Sequence, residues 1–113
     1  MIELTIYNFM SQNTTVKTYM EIPKNPASSF YVIEKTGSGQ TNHVNSSIIA
    51  IQSYAPSMYE AATLNEALKA LMLGDAILEL GDICKVELNS DYNFTDETTK
   101  KYRYQAVFEV THY

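Results

Sequence analysis

The chain predicts an α+β domain: a mainly antiparallel β-sheet with one long helix packed across a face and a short helix at the N-terminus. Three observations carry this expectation. Ser57 and Glu60 form an S-x-x-E capping box, and behind it Ala61, Leu64, Leu68, Leu71 and Met72 fall on one helical face. From Lys101 the pattern alternates, with Tyr102, Tyr104, Ala106, Phe108 and Val110 on one side and Arg103, Gln105, Glu109 and Thr111 on the other, as in a long strand with one buried face. Ile48, Ile49 and Ile51 form a β-branched run within Ser46 to Tyr54 that suits a central, well-covered strand.

The remaining elements follow in order. Ile2, Ile6, Phe9 and Met10 have helical spacing in Ile2 to Gln12, although Ile2, Leu4 and Ile6 also alternate as a strand would. Val16 to Glu21 is a short strand closed by Pro23 and Pro26, because proline has no N–H to give a ladder. Phe30 to Lys35 is the next strand, and Gly37-Ser38-Gly39 opens a polar stretch to Asn45 that predicts a long exposed loop. Gly74 stands where the Ser57 helix would end, unless a last turn continues through Ile77 and Leu78. Ile83 to Leu88 predicts a strand, and Asn89 to Thr99, crowded with Asp, Asn and Thr, a turn or exposed loop.

A chain of 113 residues without a composition break or internal repeat is expected to be a single domain, 1–113, with a thin core. No apolar run approaches the roughly 20 residues of a bilayer span. The start Met1-Ile2-Glu3 has no secretory-signal pattern, which predicts a protein made and kept in the cytosol of its cell, and the Asn-X-Ser/Thr triplets at Asn13, Asn45 and Asn93 are then chance. The net charge of −5 argues against affinity for a phosphate backbone. Nine Tyr and four Phe without a Trp suit both strand faces and surfaces that an assembly covers.

The sequence predicts no enzyme, no catalytic residue, no cofactor and no metal. Its histidines are His43, in a polar stretch, and His112, beside the last residue, and neither place suggests a base held rigidly enough for a nucleophile. Cys84, the single cysteine, reads as a small buried hydrophobe at a strand start. Asp91, Asn93 and Thr95 imitate the first ligands of a calcium loop, but Asp96 stands where glycine is needed and Tyr102 where the bidentate carboxylate is. Gly37 and Gly39 follow a strand as a phosphate-binding turn would, without the third glycine or the lysine of such a motif. The two polar stretches, Gly37 to Asn45 and Asn89 to Thr99, are expected to order against a neighbour, and the residues expected at an interface are Gly37, Gly39, Tyr54, Tyr92, Asn93 and Phe94.

Over Ser53-Tyr54-Ala55 with the Ser57 helix, over Lys85 to Phe94 running into Tyr102 to Phe108, and over Tyr19-Met20-Glu21-Ile22-Pro23, the chain resembles tail-completion and minor structural proteins of long-tailed bacteriophages and prophages. The resemblance implies a tail terminator: a ring, usually of six copies, that caps the tail tube, joins it to the head connector and ends in the tail or neck of the virion. The partners implied are further copies of the chain, the tail-tube protein and the connector, with DNA only as passing cargo and no membrane. An acidic wall would keep that passage free of phosphate binding. A neck or minor capsid component is the nearest alternative, and a monomeric module with a metal site in the Asn89 to Thr99 stretch a more distant one.

Overall fold

A computed structural model of the chain describes residues 1–113 other than Asn42, His43, Glu97 and Lys100. His43, one of the two histidines weighed as a base, thus lies outside the described residues.

Helix α1 (Ile2–Asn13) buries Ile2, Ile6, Phe9 and Met10, which settles the helix-or-strand ambiguity of its apolar residues in favour of helix. It stops at Thr14, whose backbone is extended, and the Asn13 amide caps the Phe9 carbonyl at 2.7 Å. Strand β1 (Lys17–Tyr19) is shorter than Val16 to Glu21 and pairs in parallel with β2 (Phe30–Thr41). The polar chain through Pro23 and Pro26 connects the two. β3 (Val44–Ala55) returns antiparallel to β2.

Helix α2 (Met58–Met72) opens as its capping box requires: Ser57 Oγ accepts from the Glu60 N–H at 3.2 Å and lies 3.2 Å from the Glu60 carboxylate. It ends at Met72, with Leu73 as its cap, one residue before Gly74. A Cβ at Gly74 would stand 3.0 Å from the Ala70 carbonyl oxygen, so the glycine lets the chain turn tightly against the last helical turn. A separate 3₁₀ helix, Ala76–Leu80, holds Ile77 in the core, and Gly81, at φ 81°, swings the chain into β4 (Ile83–Asn93). β5 (Tyr102–His112) completes a five-stranded sheet in the order β1-β2-β3-β5-β4, antiparallel except for the β1–β2 pair.

Both helices lie on one face of the sheet. Ile6 and Met10 of α1, Leu68 and Met72 of α2, and Tyr31, Ile33, Ile49, Ile51, Ala106, Phe108 and Val110 from the strands form a single core. The alternation read in β5 is correct in phase, with Ala106, Phe108 and Val110 fully buried, but Tyr102 and Tyr104 are only half-buried. They lie toward the β4–β5 turn, where the helical cover thins.

Three expectations are corrected. The described residues of the loop expected from Gly37 to Asn45 are strand, in the far arms of β2 and β3: Gly37 pairs with Ile48, Gly39 with Ser46 and Gln40 with Asn45, after a bulge between Lys35 and Gly37. The loop expected from Asn89 to Thr99 is strand to Asn93, with a further bridge between Asp96 and Lys101. Polar residues misled in both places because neither arm is held by apolar alternation: the β2 arm lies beyond the helices, and Asp91 of β4 faces α2 through polar contacts with Asn65 and Lys69. Cys84 is exposed rather than buried, since the register shift between Ile83 and Lys85 turns it off the core face.

Two consequences are measurable. Phe108→Ala empties the centre of the core and should lower unfolding free energy by about 3–5 kcal/mol in urea titration, whereas Tyr104→Ala should cost less. Tyr31 is buried under α2, where its hydroxyl donates to the Leu64 carbonyl at 3.0 Å, and burial pushes its pKa from 10.0 up to about 12. A folded-state pKa above the unfolded one means that the unfolded chain releases the phenol proton first, so stability should fall as pH rises from 10.0 toward about 12. Tyr31→Phe should remove that part of the alkaline slope while losing the hydrogen bond at neutral pH, read by denaturant midpoints across this range.

Candidate functional site

The sheet face opposite the helices carries the most organised surface of the domain. Strict register places Phe30, Tyr54 and Arg103 side by side on β2, β3 and β5, and the Phe94 N–H donates to the Arg103 carbonyl at 2.8 Å, which brings the end of β4 into the row. Tyr19 of β1 completes it. The Tyr19 and Phe30 rings are tilted with centroids 5.4 Å apart, Phe30 and Tyr54 stack at 4.6 Å and 10°, and Phe94 meets Tyr92 edge-on at 5.8 Å.

Arg103 joins the two aromatic halves. Its guanidinium lies 4.4 Å from the Phe94 ring centroid and 5.6 Å from that of Tyr54. Its Nε donates to the Phe94 carbonyl at 2.6 Å and an Nη donates to the Tyr54 hydroxyl at 2.8 Å. The row therefore crosses β1, β2, β3 and β5 and reaches Phe94, just past the end of β4, with a cation fixed between Tyr54 and Phe94. One step along the sheet lies a second row, in which the Gln52 amide donates to Gln105 at 2.8 Å and the Gln105 amide donates to the Tyr92 hydroxyl. Such side chains, held by one another before any partner arrives, lose little rotamer entropy on contact.

The structure brings together Tyr54, Tyr92 and Phe94 of the expected interface residues, with Asn93 between the last two, its side-chain oxygen accepting from the Thr95 N–H at 3.0 Å. Tyr54 is buried by its neighbours within the chain and supports this surface, whereas Tyr92 and Phe94 are exposed on it. Gly37 and Gly39 lie on the other hairpin, at the opposite end of the sheet: a Cβ at Gly37 would touch Ile48 at 3.7 Å, and Gly39 faces open space. Arg103, Phe30, Tyr19, Gln52 and Gln105 were missed. The polar side of the β5 alternation contained Arg103 and Gln105, and pairing that side against Tyr54 and Gln52 is the signal that would have found them.

Other polar clusters are structural. Asp91, the first residue of the calcium-like pattern, faces α2, where it accepts from Lys69 Nζ at 2.8 Å and from the Asn65 amide at 3.1 Å. Its carboxylate, and after it that of Glu66, holds the Lys69 ammonium above its usual range. Thr95 Oγ1 lies within hydrogen-bond reach of the Arg103 backbone, and Asp96 caps the Thr98 N–H at 3.0 Å. Hydrogen bonds from Thr99 and Thr98 keep the Asp96 carboxyl below the ordinary carboxylate range. His112 Nε2 is 2.8 Å from Ser47 Oγ, but its Nδ1 faces the Tyr113 carbonyl and Ser47 is buried on the helix side. The neighbouring carboxylate of Glu109 accepts from Ser46 across the sheet. Among the described residues no carboxylate orients the His112 ring, and the pair clasps the ends of β3 and β5 together.

Removing the cation tests the coherence of the row. Arg103→Ala should destabilise the fold by about 1–2 kcal/mol, through two lost hydrogen bonds and the cation–π contact with Phe94. Arg103→Lys should recover only part of this, because an ammonium cannot reach both Tyr54 and the Phe94 carbonyl with a planar fork. Thermal unfolding of the two variants beside wild type reads the difference.

Comparison of the sequence with protein-family models and with curated proteins finds no match, so the function of this surface rests on its own chemistry.

Proposed function

We propose that the chain is a structural subunit of a phage tail, a tail terminator that assembles into a ring, caps the tail tube and joins it to the head connector. The observation that carries this reading is the sheet face left uncovered by the chain's own helices and crossed by the Tyr19, Phe30, Tyr54, Arg103 and Phe94 row. Aromatic and arginine side chains are the groups that dominate protein–protein contacts, and here buried Phe30 and Tyr54 support half-buried Arg103 and exposed Tyr92 and Phe94 from beneath. The resemblance in Lys85 to Phe94 and Tyr102 to Phe108 falls on the two strands that form one half of that face. The net charge of −5 suits a subunit past which DNA slides as cargo.

In this role the ring forms by contact between copies, and the uncovered face docks onto the tube. Light scattering of the chain, alone and with its cognate tail-tube protein, should show a ring-sized species of about six copies, formed either spontaneously or on the tube. Tyr92→Asp, on the exposed end of β4, should abolish tube binding while lowering stability by only about 1 kcal/mol, through the lost Gln105 hydrogen bond and the edge contact with Phe94. A chain that stays monomeric with and without the tube protein is not a terminator. Binding to the connector but not to the tube would make it a neck component.

A further inference from the structure

The two ends of the domain are complementary to each other. At one end, Ile22, Pro26, Phe30, Pro56 and Tyr102 line an apolar cleft of about 240 Å³, with Lys101 on its rim. This is smaller than the roughly 300–1,000 Å³ of small-molecule sites, and of a size to take a protruding side chain. Lys24 lies in the loop that carries Ile22 and Pro26; the carboxylates at this end include Glu21, in the same loop, and Asp96, which is bridged to Lys101 through the backbone and whose side chain is turned to the Thr98 N–H.

At the other end, the ten residues after α2 form an acidic knob. Leu73, Leu78 and Leu80 are exposed there, at 46%, 42% and 38%. Asp75, Glu79 and Asp82 are exposed among them, and no lysine or arginine occurs from Ala70 to Cys84. Among the described residues none of these three carboxylates is in a salt bridge, and the next cation along, Lys85, lies 3.3 Å from Glu87. Ile77, fully buried, pins the knob to the core. The α2 C-terminus points the negative end of its dipole here, while its N-terminus, next to Pro56, points the positive end at the cleft.

Knob and cleft cannot meet within one molecule. β5 starts at Tyr102 beside the cleft and ends at His112, paired with Ile83 beside the knob. Eleven residues of strand span about 36 Å, and the domain is 44 Å long. We infer that the acidic leucine knob, residues 73–82, of one copy seats in the Lys101-rimmed cleft of the next, joining copies of this chain head to tail. Apolar side chains fill the cleft and carboxylates meet the lysine rim, so shape, polarity and charge select the same partner. A contact between two different patches closes into a ring when its rotation divides the circle, and the inference thus rests on the ring reading and gives that ring its joint.

Charge reversal tests it on the full chain by light scattering and sedimentation, with the tail-tube protein added if wild type needs it to assemble. Lys101→Glu alone, and the pair Glu79→Lys with Asp82→Lys alone, should each raise the concentration for half-assembly about tenfold or more, since like charges then face each other across the joint. Thermal unfolding should not move, because all three residues are exposed. An equimolar mixture of the two variant proteins should assemble again, as an alternating species, because each then offers the cleft that the other's knob requires. If both variants assemble as wild type does, or the mixture stays apart, the joint is elsewhere and the ring reading survives. If wild type never assembles, with or without tube protein, both fall together.

Discussion

Strand β3 is paired with a neighbour along nearly its whole length on both sides, from Val44 to Tyr54 against β2 and from Asn45 to Ala55 against β5. Its alternate residues Ile49 and Ile51 enter the core with nothing exposed, and Ser53 is as deeply buried. That strand sets how long the sheet must be, and the helices cannot match it. Fifteen residues of α2 extend about 22 Å, whereas eleven or twelve residues of strand extend about 36–40 Å. The core therefore forms where helix overlies sheet, around Phe108, Leu68 and Met72, and each hairpin runs past it into solvent.

The same mismatch explains the opposite face. With both helices spent on one side, the other must be stabilised by its own side chains, and it is stabilised by cross-strand pairs rather than by a second layer. The Phe30–Tyr54 stack and the Arg103 bridge bury Phe30, Val32 and Tyr54 without a covering element. The amide chain from Gln52 through Gln105 to Tyr92 satisfies polar groups that would otherwise compete for water. The face is thus ordered in the free chain and still partly open to a partner at Tyr92 and Phe94, which is the combination that association without an ordering cost requires.

What was legible in the sequence follows from how local each cause is. The capping box of α2, the β-branched run of β3 and the alternation of β5 are short-range patterns, and each produced the element it announced, as did the α+β class with its helix across one face. The far arm of β2 and the end of β4 were not legible, because a ladder that lies beyond the core is specified by its partner strand and not by apolar alternation. Cys84 was misplaced by the register shift at Ile83/Lys85, which reverses the side a residue faces without any mark in composition, and the shift at Leu88/Ser90 likewise sets Asp91, expected in a loop, toward α2. Asn65 has the same kind of invisibility: a polar residue on the buried side of α2 makes sense only once Asp91 is known to stand opposite it. The aromatic row is likewise a property of register, since Phe30, Tyr54 and Arg103 are distant in sequence and adjacent only through pairing.

The distribution of charge carries more meaning than its total. The −5 of the chain could be an evenly spread solubilising charge. Instead, Asp75, Glu79 and Asp82 lie within eight residues of one another on exposed chain that carries no cation, while Asp91 and Glu66 share the Lys69 ammonium in a single cluster. The acidic knob and the Lys101-rimmed cleft stand at opposite ends of β5, a direction that the α2 dipole follows in the same sense. At physiological salt, charges more than about 8 Å apart are largely screened, so this direction acts at contact range rather than at a distance. Opposite ends are therefore told apart only where surfaces meet, by the charges and apolar side chains within contact range.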